Sequence, residues 1–189
     1  MSSARRRPVT YDDLAKVPEH MVAEIIGGEL VTSPRPASPH ALAAAGILRD
    51  LAGFHGPPGG PARPGGWWIL MEPELHLGAD VLVPDIAGWR HERMAAVPNV
   101  AAFELAPDWV CEVVSPSTAQ IDRARKMQIY ARESVGHLWL VDPLARTIEA
   151  YRLRAGQWIV ASTHGGSEPI RAEPFDGVEI DPARWWLEP

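Results

Sequence analysis

The sequence predicts a mixed α/β fold, a β-sheet flanked by helices and extended by an antiparallel hairpin. Three observations carry that reading. A strand-like run at residues 109–114, a helical run at 117–134 and a second strand-like run at 137–141 follow one another, an order that requires a crossover connection. The pair Gly27-Gly28 sits between two strand-like runs, where a two-residue loop needing positive φ makes a tight hairpin. Two turn signals near the C-terminus, Asp142-Pro143 and Ala155-Gly156, separate runs that read as further antiparallel strands.

Taken in order, Arg5 to Arg7 predict a flexible basic tail over residues 1–8, with a single domain over 9–189. Thr10 and Asp13 have the spacing of an N-cap and its third helical residue, opening a short helix. Residues 22–26 and 29–32 are the arms of the first hairpin. Ser38 before Pro39 reads as a cap and first-turn pair, and Leu42, Ala45, Leu48 and Leu51 then recur at helical spacing as far as Phe54. Residues 53–66 are rich in Gly and Pro and read as an exposed loop within the domain. Strands are predicted at 67–71, 74–77 and 81–89, then at 109–114, which is apolar on both faces and so belongs at the sheet centre. Ser117 is the predicted cap of a helix running to Ser134 and stopped by Gly136, with a strand at 137–141 after it. Residues 147–154 and 157–161 complete the sheet, and Trp185 and Trp186 are expected to fold back onto the body.

A chain of 189 residues, 46% hydrophobic and 22% charged, has the composition of an ordinary globular protein. No run approaches a membrane span, and Met1 to Arg7 lack the apolar stretch of a signal peptide, so a cytoplasmic protein is expected. The lone Cys111 rules out an internal disulfide and a cysteine-rich zinc site, and reads as a small buried hydrophobe. P-loop, dinucleotide-binding and metalloprotease motifs are absent. The net charge of −6 opposes nonspecific nucleic-acid binding, although Arg5, Arg6, Arg7, Arg123, Arg125, Lys126 and Arg132 are grouped enough to suggest a local basic patch.

Two acids interrupt otherwise apolar strand faces. Asp85 shares parity with Val81, Val83 and Ala87, and Glu112 with Val110 and Val114. An ionised carboxylate there costs several kcal/mol unless it is neutralised, meets a cation or reaches solvent at a strand end. A bound metal satisfies both acids at once. Magnesium commonly takes one or two carboxylates and keeps water and phosphate oxygens for its other positions. Lys126 is the basic partner of choice, because Asp122, Lys126 and Tyr130 recur at i, i+4 and i+8 on the helix after the Glu112 strand. Each residue has a plainer reading: Asp85 as a turn cap, Glu112 as an arginine partner, Asp122 with Lys126 as a surface pair. Glu24 lies on an apolar face with Val22 and Ile26, and is kept as a secondary site residue. His40, at the start of the second helix, could approach phosphate or metal, although a histidine in a first helical turn is more often exposed; Tyr130 could line the site, although helix packing is its plainer reading. Trp109, Trp139 and Trp158 read as core.

Several segments together resemble the Uma-type restriction endonucleases of the PD-(D/E)XK nuclease superfamily: Glu24-Ile25-Ile26-Gly27-Gly28-Glu29-Leu30, Pro84-Asp85, residues 107–118, then Asp122, Lys126 and Tyr130, and residues 135–143. The resemblance spans about Tyr11 to Trp186. It implies a restriction-endonuclease-like mixed sheet and a magnesium- or manganese-dependent nuclease, with Asp85 and Glu112 as metal-binding acids and Glu24 as an additional acid. The superfamily's usual lysine, two residues after the second acid, is Val114 here, and the resemblance implies that Lys126 takes its place from the next helix. The expected activity is metal-dependent hydrolysis of DNA phosphodiester bonds by Asp85, Glu112, Lys126 and Glu24. A homodimer would account for cutting both strands. The rival reading, favoured by the missing strand lysine and the acidic charge, is a nuclease-fold binding or assembly module without catalysis.

Overall fold

The computed structural model describes residues 9–60, 63–116 and 118–188; the expected basic tail at 1–8 and the expected cap Ser117 lie outside the described residues. Helix α1 (Tyr11–Leu14) starts at Thr10, whose backbone N–H donates to the Asp13 carboxylate at 3.1 Å, the reciprocal half of a capping box. Strands β1 (Met21–Ile26) and β2 (Glu29–Pro34) form the predicted hairpin, with Gly27 at φ 61° and Gly28 at φ 78°. Two consecutive left-handed residues match the strand twist, and glycine adopts them without strain.

Helix α2 (Ser38–Asp50) stops before the expected Phe54, which lies beyond the helix end and packs its ring 4.8 Å from that of Phe175. Its Gly46 faces the C-terminal segment: a Cβ there would stand 2.6 Å from Trp185 Cδ1. Gly46→Ala should therefore destabilise the protein by about 1–3 kcal/mol, since overpacking against a buried indole outweighs the ~1 kcal/mol gain in helix propensity. Thermal unfolding reads this directly, and a raised melting temperature would contradict the packing argument.

Strands β3 (Trp67–Met71), β4 (Leu75–Leu77), β5 (Asp80–Leu82) and β6 (Ile86–Arg90) follow the Gly- and Pro-rich loop. The single strand expected over 81–89 is in fact two strands in two sheets. Pro84 has no N–H to give to a ladder, and at Val83-Pro84-Asp85 the chain leaves the four-stranded sheet, ordered β2-β1-β5-β4, for the six-stranded one. The larger sheet is ordered β10-β9-β8-β7-β6-β3, with β7 (Trp109–Val113) and β8 (His137–Asp142) in its interior as expected. They pair in parallel, and the helical crossover joins them, while every other pair in this sheet is antiparallel.

The crossover departs from the expected continuous helix. It runs as α3 (Ala119–Ile121), a π-helical turn (Asp122–Lys126) and α4 (Met127–Arg132), with the Met127 N–H reaching back to the Asp122 carbonyl. Ser134 at φ 61°, not Gly136, ends it. Strands β9 (Thr147–Arg154) and β10 (Gln157–Gly165) form the last hairpin, turning at Ala155 and Gly156, both with positive φ.

Two cores lie on opposite faces of the large sheet. Trp109, Cys111 and Val113 of β7 face α2 and the C-terminal segment, where Trp139, Phe175, Trp185 and Trp186 are buried. Val110 and Val114 face the other way, toward the small sheet and α4, with Leu138, Leu140 and Tyr130. The alternation along β7 thus assigns Glu112 to this second face. Among the described residues no helix is long and apolar enough to cross a membrane.

Candidate active site

The register of β6 on β7 brings the two predicted acids together. Ile86 pairs with Cys111 and Ala87 with Val110, so the next step of the ladder sets Asp85 beside Glu112. Ladder pairing ends there, and the Asp85 carboxylate takes over as acceptor: its Oδ2 receives the Val113 N–H at 2.7 Å. Asp85 therefore sits at the junction between the sheets, not within a strand. Its second oxygen, Oδ1, lies 3.1 Å from His40 Nε2, with both side chains largely buried, at 17% and 13% exposure. His40 is thus a neighbour of the candidate ligand and not an exposed first-turn residue.

Glu112 is buried and meets its partners from the crossover. Tyr130 Oη donates to Glu112 Oε1 at 2.6 Å, and Lys126 Nζ lies 3.4 Å from the same oxygen. Lys126 also stands 3.0 Å from Glu24 Oε1 and 3.5 Å from Asp122 Oδ1, so one ammonium serves three carboxylates from three elements. Glu24 Oε1 in addition accepts the Val83 N–H at 2.8 Å, tying β1 to the segment that leads into Asp85. The π-helical turn, with its wider bonding interval, carries both Asp122 and Lys126 on the buried side of the crossover. Val114, two residues after Glu112, is buried among apolar side chains, and the Lys126 ammonium reaches Glu112 from the helix.

The charges of this cluster do not balance. Glu24, Asp85, Glu112 and Asp122 meet one lysine and one histidine. Burial opposes the Lys126 charge, but Glu112, Glu24 and Asp122 outweigh it and keep the ammonium protonated. Burial pushes the Glu112 carboxyl well up, against the pull of Lys126 and with the added repulsion of Asp122, Asp85 and Glu24. Asp122 is also raised, chiefly by burial. The Tyr130 hydroxyl is held well above its ordinary value by burial and by Glu112, which keeps it a donor. Burial disfavours the imidazolium of His40, but its bond to Asp85 and the surrounding acids prevail and raise its pKa. Its Nδ1 is buried without a hydrogen-bond partner among the described residues.

Surplus negative charge around hard oxygen donors is the chemistry of a divalent-cation site. Among the described residues no group of three or more His, Cys, Asp or Glu side chains is placed so that it could hold a metal ion. Two carboxylates completed by water and a substrate oxygen instead match the habit of magnesium, which dehydrates reluctantly. The donors therefore fit the ion. They open into a cleft of about 890 Å³ that is lined by Glu24, His40, Asp85, Glu112, Asp122 and Lys126. Tyr130 secures Glu112 from behind. Tyr130→Phe should lower stability by about 1–3 kcal/mol, because it strips a buried acid of its shortest hydrogen bond. Urea unfolding measures the effect, and an unchanged midpoint would show that this bond adds nothing.

The expected basic patch does not form among the described residues. Arg123 bonds Glu149 at 2.5 Å, Arg125 lies 3.0 Å from Glu29 and donates to the Ile26 carbonyl, and Arg132 bonds Asp80 at 2.8 Å. These guanidinium groups fasten the crossover to the two sheets. Asp122, Tyr130 and His40 are the site residues that sequence reasoning set aside; the i, i+4, i+8 spacing held the signal for the first two.

Comparison with known proteins agrees with this geometry. The family model described as "Uma2: Putative restriction endonuclease" matches residues 8–183. A solved structure, described as that of "a putative nuclease belonging to DUF820 from Anabaena variabilis", has 23% sequence identity and a TM-score of 0.70. The similarity covers 95% of this chain and 100% of that one, and it establishes a shared fold. No curated protein matches the chain. A family match over nearly the whole length places this chain in the Uma2 family.

Proposed function

We propose that residues 9–189 form one domain that hydrolyses phosphodiester bonds of nucleic acid with a divalent metal, magnesium or manganese, held by Asp85 and Glu112. The observation that carries this is the uncompensated cluster of buried carboxylates opening into the cleft. A divalent ion bound there would lower the pKa of a coordinated water and stabilise charge on the phosphate.

The protein side chains divide the remaining work. Tyr130 and Lys126 hold Glu112, and His40 with the Val113 N–H holds Asp85, so both carboxylates are oriented before substrate arrives. Lys126 keeps a positive charge beside Glu112, suited to steadying the attacking water or the phosphate oxygens. Glu24 links that ammonium to Val83 and fixes the approach of β1. Incubating the chain with DNA in manganese or magnesium, with and without a chelator, tests the proposal. Cleavage should require the metal. Cleavage that persists in chelator excludes this mechanism, and none with either metal leaves the binding-module reading.

A further inference from the structure

The cleft has walls and charge of a particular kind. At about 890 Å³ it lies within the ~300–1,000 Å³ range of sites that enclose small molecules. Leu14, Val17, Val22, Pro34 and Pro36 contribute apolar wall. Beside Asp85 it continues into a smaller hollow of about 240 Å³, where Pro36, Ala41, Ala44, Ala45 and Met71 offer apolar surface next to the candidate metal ligand.

The rim is acidic. Beyond the four buried carboxylates, Glu19, Glu72 and Glu74 also line the cleft, against Arg35, Lys126 and His40. Lys126 is committed to three carboxylates. Arg35 donates to the Glu19 carbonyl at 3.0 Å and lies 3.9 Å from Glu72. Among the described residues, the cleft is thus lined by one lysine and one arginine, Lys126 beside the candidate metal ligands and Arg35 more than half exposed beside Glu72, against seven carboxylates.

A double helix carries about one negative charge per 1.7 Å of its axis, and its binding depends on lysines and arginines that neutralise several phosphates at once. This rim would repel it. A single strand carries less charge per unit length and is flexible. It could bring one phosphate to the metal, set a neighbouring base against the apolar hollow and leave its other phosphates in solvent.

Resting on the nuclease reading above, we propose that the cleft takes a short single-stranded or terminal stretch of nucleic acid, a few nucleotides long, and excludes continuous duplex. The recognised chemistry is one metal-bound phosphodiester flanked by an apolar base face, which DNA and RNA strands share.

The test compares fluorescein-labelled oligothymidylate, oligouridylate and a blunt 20-base-pair duplex by anisotropy with the full chain in calcium. The same three substrates are then followed for cleavage in manganese, with Asp85→Asn as control. A single strand should bind at least tenfold more tightly than the duplex, and the two single-stranded arms separate DNA from RNA. Glu72→Lys, at the rim, should raise duplex affinity several-fold and steepen its dependence on salt. Duplex bound as tightly and cut as fast as single strand, with cutting lost in Asp85→Asn, would overturn this inference and leave the nuclease standing. If no substrate is cut, the nuclease reading fails, and the anisotropy ratio alone decides which strand form the cleft prefers.

Discussion

Asp85→Asn and Glu112→Gln are each expected to reduce metal-dependent cleavage on the order of a thousandfold, the scale seen when a group that stabilises developing charge is removed. Both substitutions keep shape and remove charge. Asparagine can still accept the Val113 N–H, and glutamine the Tyr130 hydroxyl, so the fold should survive. Glu112→Gln should even unfold at the same or a higher temperature, because it takes an acid out of a buried site crowded with other acids. That opposition is the diagnostic feature: activity falls while stability holds or rises. Metal affinity, read by isothermal titration with manganese, should fall with activity in both variants. If wild type and variants nick plasmid equally, the cutting comes from a contaminant and the assignment of these acids fails.

Lys126→Met should have the largest effect on stability. Lys126 is 5% exposed, and its ammonium lies within 3.5 Å of Glu24, Glu112 and Asp122. Taking it away leaves three buried carboxylates facing one another, and breaking a buried ion pair from one side typically costs about 3–5 kcal/mol. Methionine fills most of the same volume, so the loss is electrostatic and not a packing defect. Combining it with Glu112→Gln should recover part of the loss, since one of the stranded acids is then neutral. Urea unfolding of the two single variants and the double variant gives the coupling. Strictly additive effects would show that Lys126 and Glu112 are not coupled.

The fold was largely legible because its signals are local. Gly27-Gly28 and Ala155-Gly156 set hairpin turns through backbone conformation alone, and the apolar alternation of Trp109–Val113 set both faces of the central strand. The same alternation placed Glu112 correctly. Asp85 reached the site for a different reason from the one inferred: its parity was read from a strand that Pro84 divides. The π-helical turn left no mark in the residue pattern, and without it the burial of Asp122 could not be anticipated. Arg123, Arg125 and Arg132 resembled a basic patch because their partners lie far away in the chain, Glu149 26 residues and Asp80 52 residues from the arginines they bind.

By itself, then, the sequence determined which residues turn the chain, which alternate toward a core, and that acids interrupt two apolar runs and a lysine recurs at helical spacing. Tertiary structure alone decided that Asp85 and Glu112 stand side by side, that one ammonium answers three carboxylates, and that Arg123, Arg125 and Arg132 pair with acids of the two sheets. The reason is physical. Backbone preference and side-chain alternation act over a few residues, whereas charge is compensated through space, and only sheet register and helix packing set which charges are near neighbours.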